Sequence, residues 1–307
     1  MPETTIPHFN LTSTLDYSKL EVTFESLLAR YESADEVYRH LSRDALSNLI
    51  TSSSPETQAL LQDARNEVDT AGMAILGETR VEQVRDEVAQ LTAIAISSVF
   101  GTPTQTDQKD HRIAWPIHFD PHTNLTRTYS QSLGEASFHT DTQYFERPEK
   151  YFGMFCVFAD EPGKGTSELL DGRVVMERYR EEHGDAAYSV LGQKYPFKVP
   201  SVFTRHARDD DLEVTWAPIY DSNDQNIRYR FDTIADALQI PGIDINDEQL
   251  DAIQKIKELL DDFEPVQHHL LPGEAILIDN HRMLHARTAF DNPARFLYRV
   301  RMDNDYI

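Results

Sequence analysis

The chain has 307 residues, 40% of them hydrophobic and 26% charged, with a formal net charge of −23 at pH 7. That length supplies a substantial core for one large domain or two modest ones. The acidity argues against nucleic acid or an anionic membrane surface as a partner, since both require a basic face.

Cys156 is the single cysteine, set in the apolar run Phe155-Cys156-Val157-Phe158. It permits no internal disulfide and reads as a small core residue. Residues 1–28 carry acids and no apolar leader, and no run approaches the roughly 20 apolar residues of a membrane span. The expectation is a cytoplasmic protein. Its oligomeric state is not legible.

In chain order, residues 1 to about 20 read as an irregular arm. Ser33-Ala34-Asp35-Glu36 has capping-box spacing, and Val37, Tyr38, Leu41, Leu46 and Leu49 follow at helical intervals. Ser54-Pro55 combines an N-cap with proline at the first helical position, and Leu60, Leu61, Ala64 and Val68 form the buried stripe. Residues 72–76 predict a short buried strand. Val81, Val84, Val88, Leu91 and Ile94 mark a helix ending near Gly101.

Beyond residue 105 the periodicity changes. Strands are expected over 151–158, 196–205, 213–216, 227–231, 274–279 and 295–302, with one helix over 247–263. A helical frame (1–105) followed by a strand-rich core (106–307) predicts a single α+β domain built on a β-sandwich or barrel.

Two stretches carry the chemistry. In Ser137-Phe138-His139-Thr140-Asp141-Thr142, a histidine and an aspartate stand two apart, and on a strand such residues share a face. They are two of the three ligand types of the two-His-one-carboxylate facial triad of non-haem iron oxygenases. His285, in Asp279-Asn280-His281-Arg282-Met283-Leu284-His285-Ala286-Arg287, is the candidate third ligand. On the last strand, Arg295, Leu297, Arg299 and Arg301 share one face. Arginine there suits either an exposed edge or a bidentate grip on a carboxylate. Each piece alone has a bland counterpart, a hydrogen-bonded strand histidine or an unengaged loop histidine.

In this order and spacing, the motifs of His139 and Asp141, the segment Gly163 to Gly172, Pro272-Gly273-Glu274 through to His285-Ala286-Arg287, and Arg295-Phe296-Leu297-Tyr298-Arg299 resemble those of the Fe(II)/2-oxoglutarate-dependent oxygenases of the taurine dioxygenase and clavaminate synthase-like superfamily. The resemblance spans roughly residues 70 to 302. It implies a double-stranded β-helix (jelly-roll) core. It also implies that His139, Asp141 and His285 hold Fe(II), that Arg295 pairs with the distal carboxylate of 2-oxoglutarate with Arg299 assisting, and that Thr166 or Ser167 offers a hydroxyl to the cosubstrate. Dioxygen is the co-reactant. Halogenases of the superfamily lack the carboxylate ligand, so Asp141 favours hydroxylation of a C–H bond in a small molecule.

The stretches look most like members acting on an amino acid or an amino-acid-derived natural-product intermediate; desaturation and ring closure are equally compatible. A non-catalytic metal-binding jelly roll and a zinc hydrolase are the readings from other classes. Arg230 and Asp232 fall where relatives place substrate contacts, and Arg287 suits a bracing role through Asp279 or Asn280. His118 and His122 lie in a proline-containing loop, and the adjacent His268 and His269 cannot easily share an ion in extended chain. No Walker loop or Gly-x-Ser-x-Gly elbow occurs, and Glu168 stands where a dinucleotide loop after Gly163 needs glycine.

Overall fold

The computed structural model describes residues 6–11, 14–106, 111–120, 132–200 and 212–304. The chain opens with β1 (His8–Asn10), then four helices, α1 (Tyr17–Tyr31), α2 (Ala34–His40), α3 (Arg43–Thr51) and α4 (Pro55–Ala71). Side chains cap each start: Asp16, Ser33, Ser42 and Ser54 accept the first free N–H groups of α1 to α4. Gly72 ends α4 in the left-handed region at φ 90°. β2 (Met73–Gly77), α5 (Asp86–Phe100) and β3 (Thr102–Pro103) complete this part.

β4 (Trp115–His118), β5 (Ala136–His139), β6 (Tyr151–Phe158) and β7 (Ser167–Asp171) follow, then α6 (Gly172–Val190), β8 (Lys194–Lys198), β9 (Val214–Pro218), β10 (Tyr220–Asp221) and β11 (Asn226–Ile227). α7 (Phe231–Ala237) and α8 (Asp247–Asp261) precede the closing strands β12 (Val266–His268), β13 (Ala275–Asp279), β14 (Met283–Arg287) and β15 (Phe296–Asp303). No helix among the described residues is long and apolar enough to cross a membrane.

Two sheets make the jelly roll. The larger runs β1-β2-β13-β6-β15-β3 with β4 also on β15, and the smaller runs β12-β7-β14-β5. Alternation sorts the side chains. Phe152, Cys156, Ile276, Ile278 and Leu297 from the large sheet meet Leu169 and Met283 from the small one. Tyr151, Phe155, Leu277, Tyr298 and Val300 point the other way, into α1 to α5. A second layer, α6, α7, α8 and the β8–β9 hairpin, covers the outer face of the small sheet through Leu170 and Leu284. β15 follows the predicted parity: its even residues face the helices, and Arg299 and Arg301 face the space between the sheets.

Several sequence expectations are revised. The N-terminal arm is helical from Tyr17. The apolar positions from Val37 to Leu49 belong to two helices, because Leu41 is extended and Ser42 starts a new cap. The helical frame and the sheet are interleaved, since β2 lies inside the large sheet between β1 and β13. The alternating segment 227–231 pairs in pieces instead of as one strand: Ile227 belongs to the β10–β11 pair, Arg228 N–H donates to the Ile219 carbonyl, Tyr229 and Arg230 run beside Thr140 and His139, and α7 starts at Phe231. α6 had no counterpart in the expected elements; Gly184, at φ 82°, kinks it. The expected strand 196–205 runs in part outside the described residues.

Leu277 joins β13 to the helical layer and is 1% exposed. Leu277→Ala is expected to cost about 2–5 kcal/mol, the range for a buried leucine truncation, read as a lower urea midpoint with an unchanged slope.

Candidate metal centre

The register of two antiparallel strands builds this centre. β14 pairs with β5 so that His285 stands directly opposite His139, and opposed residues project to the same face. The two imidazole centroids are 4.2 Å apart, and Phe152 packs on His285 at 4.8 Å. Asp141 lies past the end of β5, on a turn, and not on a strand as expected. It still reaches the same point, with Oδ1 3.8 Å from His139 Nε2 and 3.7 Å from His285 Nε2. The three donor atoms lie within 4.8 Å of one another. The residues are 7%, 5% and 8% exposed.

The turn is held by its surroundings. Asp141 N–H donates to Asn280 Oδ1 at 2.7 Å, and Asn280 Nδ2 returns bonds to the carbonyls of Asp141 (3.0 Å) and Glu149 (2.8 Å). Thr142 sits at φ 51°, a costly region for a β-branched residue. Its hydroxyl donates to buried Glu149 Oε2 at 2.6 Å, while Thr104 donates to Oε1 at 3.1 Å.

Protonation states suit metal binding. His139 Nδ1–H donates to the Ser137 carbonyl at 2.8 Å, which leaves Nε2 as the lone pair facing the centre. Burial, then His285 and Arg230, pushes this imidazole well below its ordinary value, so it is neutral near pH 7. Burial opposes ionisation of Asp141, but the guanidinium groups of Arg299 and Arg301 outweigh it and keep the carboxyl well below the usual range. Arg299 Nη1 lies 2.9 Å and Arg301 Nε 3.1 Å from Oδ2. Burial and the neighbouring Arg301 push Arg299 down to about 10, so it remains charged at neutral pH.

Arg295 is a further buried arginine, just before β15. It is 5% exposed, and its Nη2 donates to the Gly165 carbonyl at 3.3 Å. Among the described residues no carboxylate stands within ion-pair distance of it. A side chain at position 165 would start 2.7 Å from Arg295 Nε, and φ there is +62°, so glycine is required twice over. Ser167 shares the interior-facing parity of Leu169 on β7, and Thr166 is tied to Thr288 by paired bonds of 2.9 and 3.0 Å. Two imidazole nitrogens and one carboxylate oxygen, buried and converging, form a donor set for a divalent first-row ion. A buried cation without a counter-ion needs an anion beside it.

A family model described as taurine catabolism dioxygenase TauD, TfdA family matches residues 50–301. The chain belongs to the TauD/TfdA family. It is similar to clavaminate synthase 2 of Streptomyces clavuligerus, 27% identical over 186 residues that cover 59% of this chain and 53% of that protein, so the match spans about half the length of that curated relative. Its fold is that of asparagine oxygenase, solved with Fe(II), 2S,3S-3-hydroxyasparagine and succinate, with a TM-score of 0.71 at 17% identity, covering 96% of this chain and 93% of that one. Non-haem iron oxygenase OrfP, solved with Fe and alpha-ketoglutaric acid, gives 0.69 at 18% identity, covering 98% and 95%.

In this TauD/TfdA-family chain the other candidates fall as follows. Arg230 pairs with Asp232 through bonds of 2.6 and 2.9 Å at the edge of the centre, beside His139. Arg287 does not brace Asp279 or Asn280; it donates to the carbonyls of Ser132 and Gly134, because its strand position aims it at the loop before β5. His118 ends β4, on a strand instead of in a loop, and its Nδ1 lies 3.0 Å from the Phe119 carbonyl. His122 lies outside the described residues. His268 bonds Glu274 at 2.9 Å, away from the triad.

Glu149 and Thr142 carried no sequence signal, and Asn280 drew notice only as a partner for Arg287, because their roles arise from contacts between distant segments. Arg301 was placed on the right face by parity, but nothing in the sequence pointed it at Asp141.

Asn280→Ala removes three bonds to buried main-chain groups. It is expected to cost about 2–5 kcal/mol, given about 1–3 for each buried group left unsatisfied, measured by denaturant titration. The same variant should lose metal affinity about tenfold or more, in line with other partners of ligand side chains, measured by competition with a chelator.

Proposed function

We propose that this chain is an Fe(II)/2-oxoglutarate-dependent dioxygenase that hydroxylates a C–H bond of a small amino-acid-like molecule. The observation that carries the proposal is the buried convergence of His139, Asp141 and His285, with ligand atoms within 4.8 Å of one another. In this assignment His139 Nε2, His285 Nε2 and Asp141 Oδ1 hold the iron. Three protein ligands on one face leave positions for a chelating keto acid and dioxygen. Iron bound there supplies the activation of dioxygen, coupled to conversion of 2-oxoglutarate to succinate and carbon dioxide.

The protein's share is positioning. Arg295 takes the distal carboxylate, with the Ser167 hydroxyl, and Thr166 as the alternative, alongside. Arg299, whose buried Nε has no partner among the described residues, assists as a second anion anchor. Burial of the triad keeps bulk water from the reacting carbon. The Arg230–Asp232 pair beside His139 offers one charge of each sign, which suits a zwitterion, and the solved relatives hold hydroxylated asparagine and arginine. The acidic composition and single buried cysteine support a cytoplasmic enzyme with no nucleic-acid or membrane partner.

Anaerobic addition of Fe(II) and 2-oxoglutarate is expected to give a visible metal-to-ligand band that Asp141→Ala abolishes. In air, a true substrate should release succinate. Protein that binds Fe(II) yet gives no band with 2-oxoglutarate would overturn the proposal. Arg295→Met should raise the 2-oxoglutarate needed for half-saturation by at least about tenfold, since truncating one partner of a buried charge pair costs about 2–5 kcal/mol. Metal affinity should stay unchanged.

A further inference from the structure

We infer that Arg301 is a positioning residue that keeps Asp141 a one-oxygen ligand, on the premise of the metal centre proposed above. The carboxylate is divided between two environments. Oδ1 faces both imidazoles, at 3.8 and 3.7 Å, with Arg299 Nη1 also within 3.3 Å of it, and Oδ2 faces two guanidinium groups, at 2.9 Å from Arg299 and 3.1 Å from Arg301. A carboxylate can give a metal one oxygen or both. Giving both would consume one of the positions that the keto acid and dioxygen require. Holding Oδ2 by charge-assisted hydrogen bonds prevents this.

The two arginines are not equivalent. Arg299 reaches Asp141 through Nη1 alone and leaves its buried Nε unpartnered among the described residues, so it has capacity for an outside anion. Arg299 Nη1 is shared between the two carboxylate oxygens, whereas Arg301 engages Oδ2 through Nε. Its carbonyl accepts Thr104 N–H at 2.9 Å, and its cross-strand neighbour is Phe152, the ring that packs on His285. It is 3% exposed, and Glu149, clamped by Thr104 and Thr142, supplies a second negative charge near both arginines. Arg301 therefore keeps hold of Oδ2 when Arg299 turns to a bound anion.

Metal affinity alone does not test this. Removing a cation beside the carboxylate strengthens its pull on the metal while freeing its second oxygen. The diagnostic is the keto acid. With Co(II) as the spectroscopic probe, wild-type protein is expected to bind the metal and then 2-oxoglutarate. Arg301→Met should still bind Co(II), with an altered ligand-field spectrum, and bind 2-oxoglutarate about tenfold or more weakly. Arg301→Lys, which keeps a cationic donor, should recover part of that loss.

A folded Arg301→Met protein with the wild-type Co(II) spectrum and 2-oxoglutarate affinity, and only a lower melting temperature, overturns the inference while leaving the metal centre standing. If Arg301→Met does not fold, the lysine variant decides: a shifted spectrum with weakened 2-oxoglutarate binding supports the role, and an unchanged spectrum overturns it. Wild-type protein that binds no Co(II) overturns the centre and the inference together.

Discussion

The pairing of β14 with β5 is the constraint on which the rest of the centre depends. His285 faces His139 only in one register, and a slip of a single residue would turn one imidazole to the opposite side of the sheet. That register is secured away from the site. β14 is bonded along its whole length to β7, from Met283 opposite Asp171 to Arg287 opposite Ser167. Leu284 on its outer face is buried against the α6–α8 layer, which leaves His285 with the inward parity. The packing of a helical layer and the placing of His285 are thus one arrangement.

β15 does the same for the positive charges. Tyr298, Val300 and Met302 are driven into the N-terminal helices by burial, and alternation obliges Arg299 and Arg301 to face inward. An acidic protein thereby keeps a small cluster of buried arginines beside the triad. Charges that would be costly to bury singly are matched there: Arg299 and Arg301 against Asp141 and Glu149, and Arg230 against Asp232. Arg295 stands outside this matching among the described residues: no carboxylate lies at ion-pair distance, and Asp160 acts on it only from further off.

How much of this the sequence disclosed depended on the range of the interaction. Local signals transferred well: Ser54-Pro55 does start a helix, Tyr151 to Phe158 is a strand, and the shared face of Arg299 and Arg301 follows from period two, whereas Arg295 precedes β15 and a register shift at Phe296. The triad was legible because its residue types are rare in such combination, although Asp141 reaches it from a turn. What stayed hidden was set by contacts between distant segments. Asn280 looks like any loop asparagine until its amide bridges Asp141 and Glu149. Alternation over 227–231 predicted one strand, yet its partner changes from Tyr220 at Ile227 to His139 at Arg230, so the extended chain pairs in fragments and not along one ladder. The kinked α6 escaped notice because its apolar positions are few and Gly184 interrupts them.

The left-handed Thr142 has a consequence for how the centre comes into being. A threonine left to itself abandons that conformation, so the chain beyond Asp141 holds its shape only while Glu149 and Asn280 are docked. His139 and His285, drawn from positions nearly half the chain apart, meet only after both sheets have closed. An ion captured by these three side chains would therefore recognise the finished sandwich and no earlier species. Occupancy would register the last step of maturation, and withdrawing the ion would loosen the turn first.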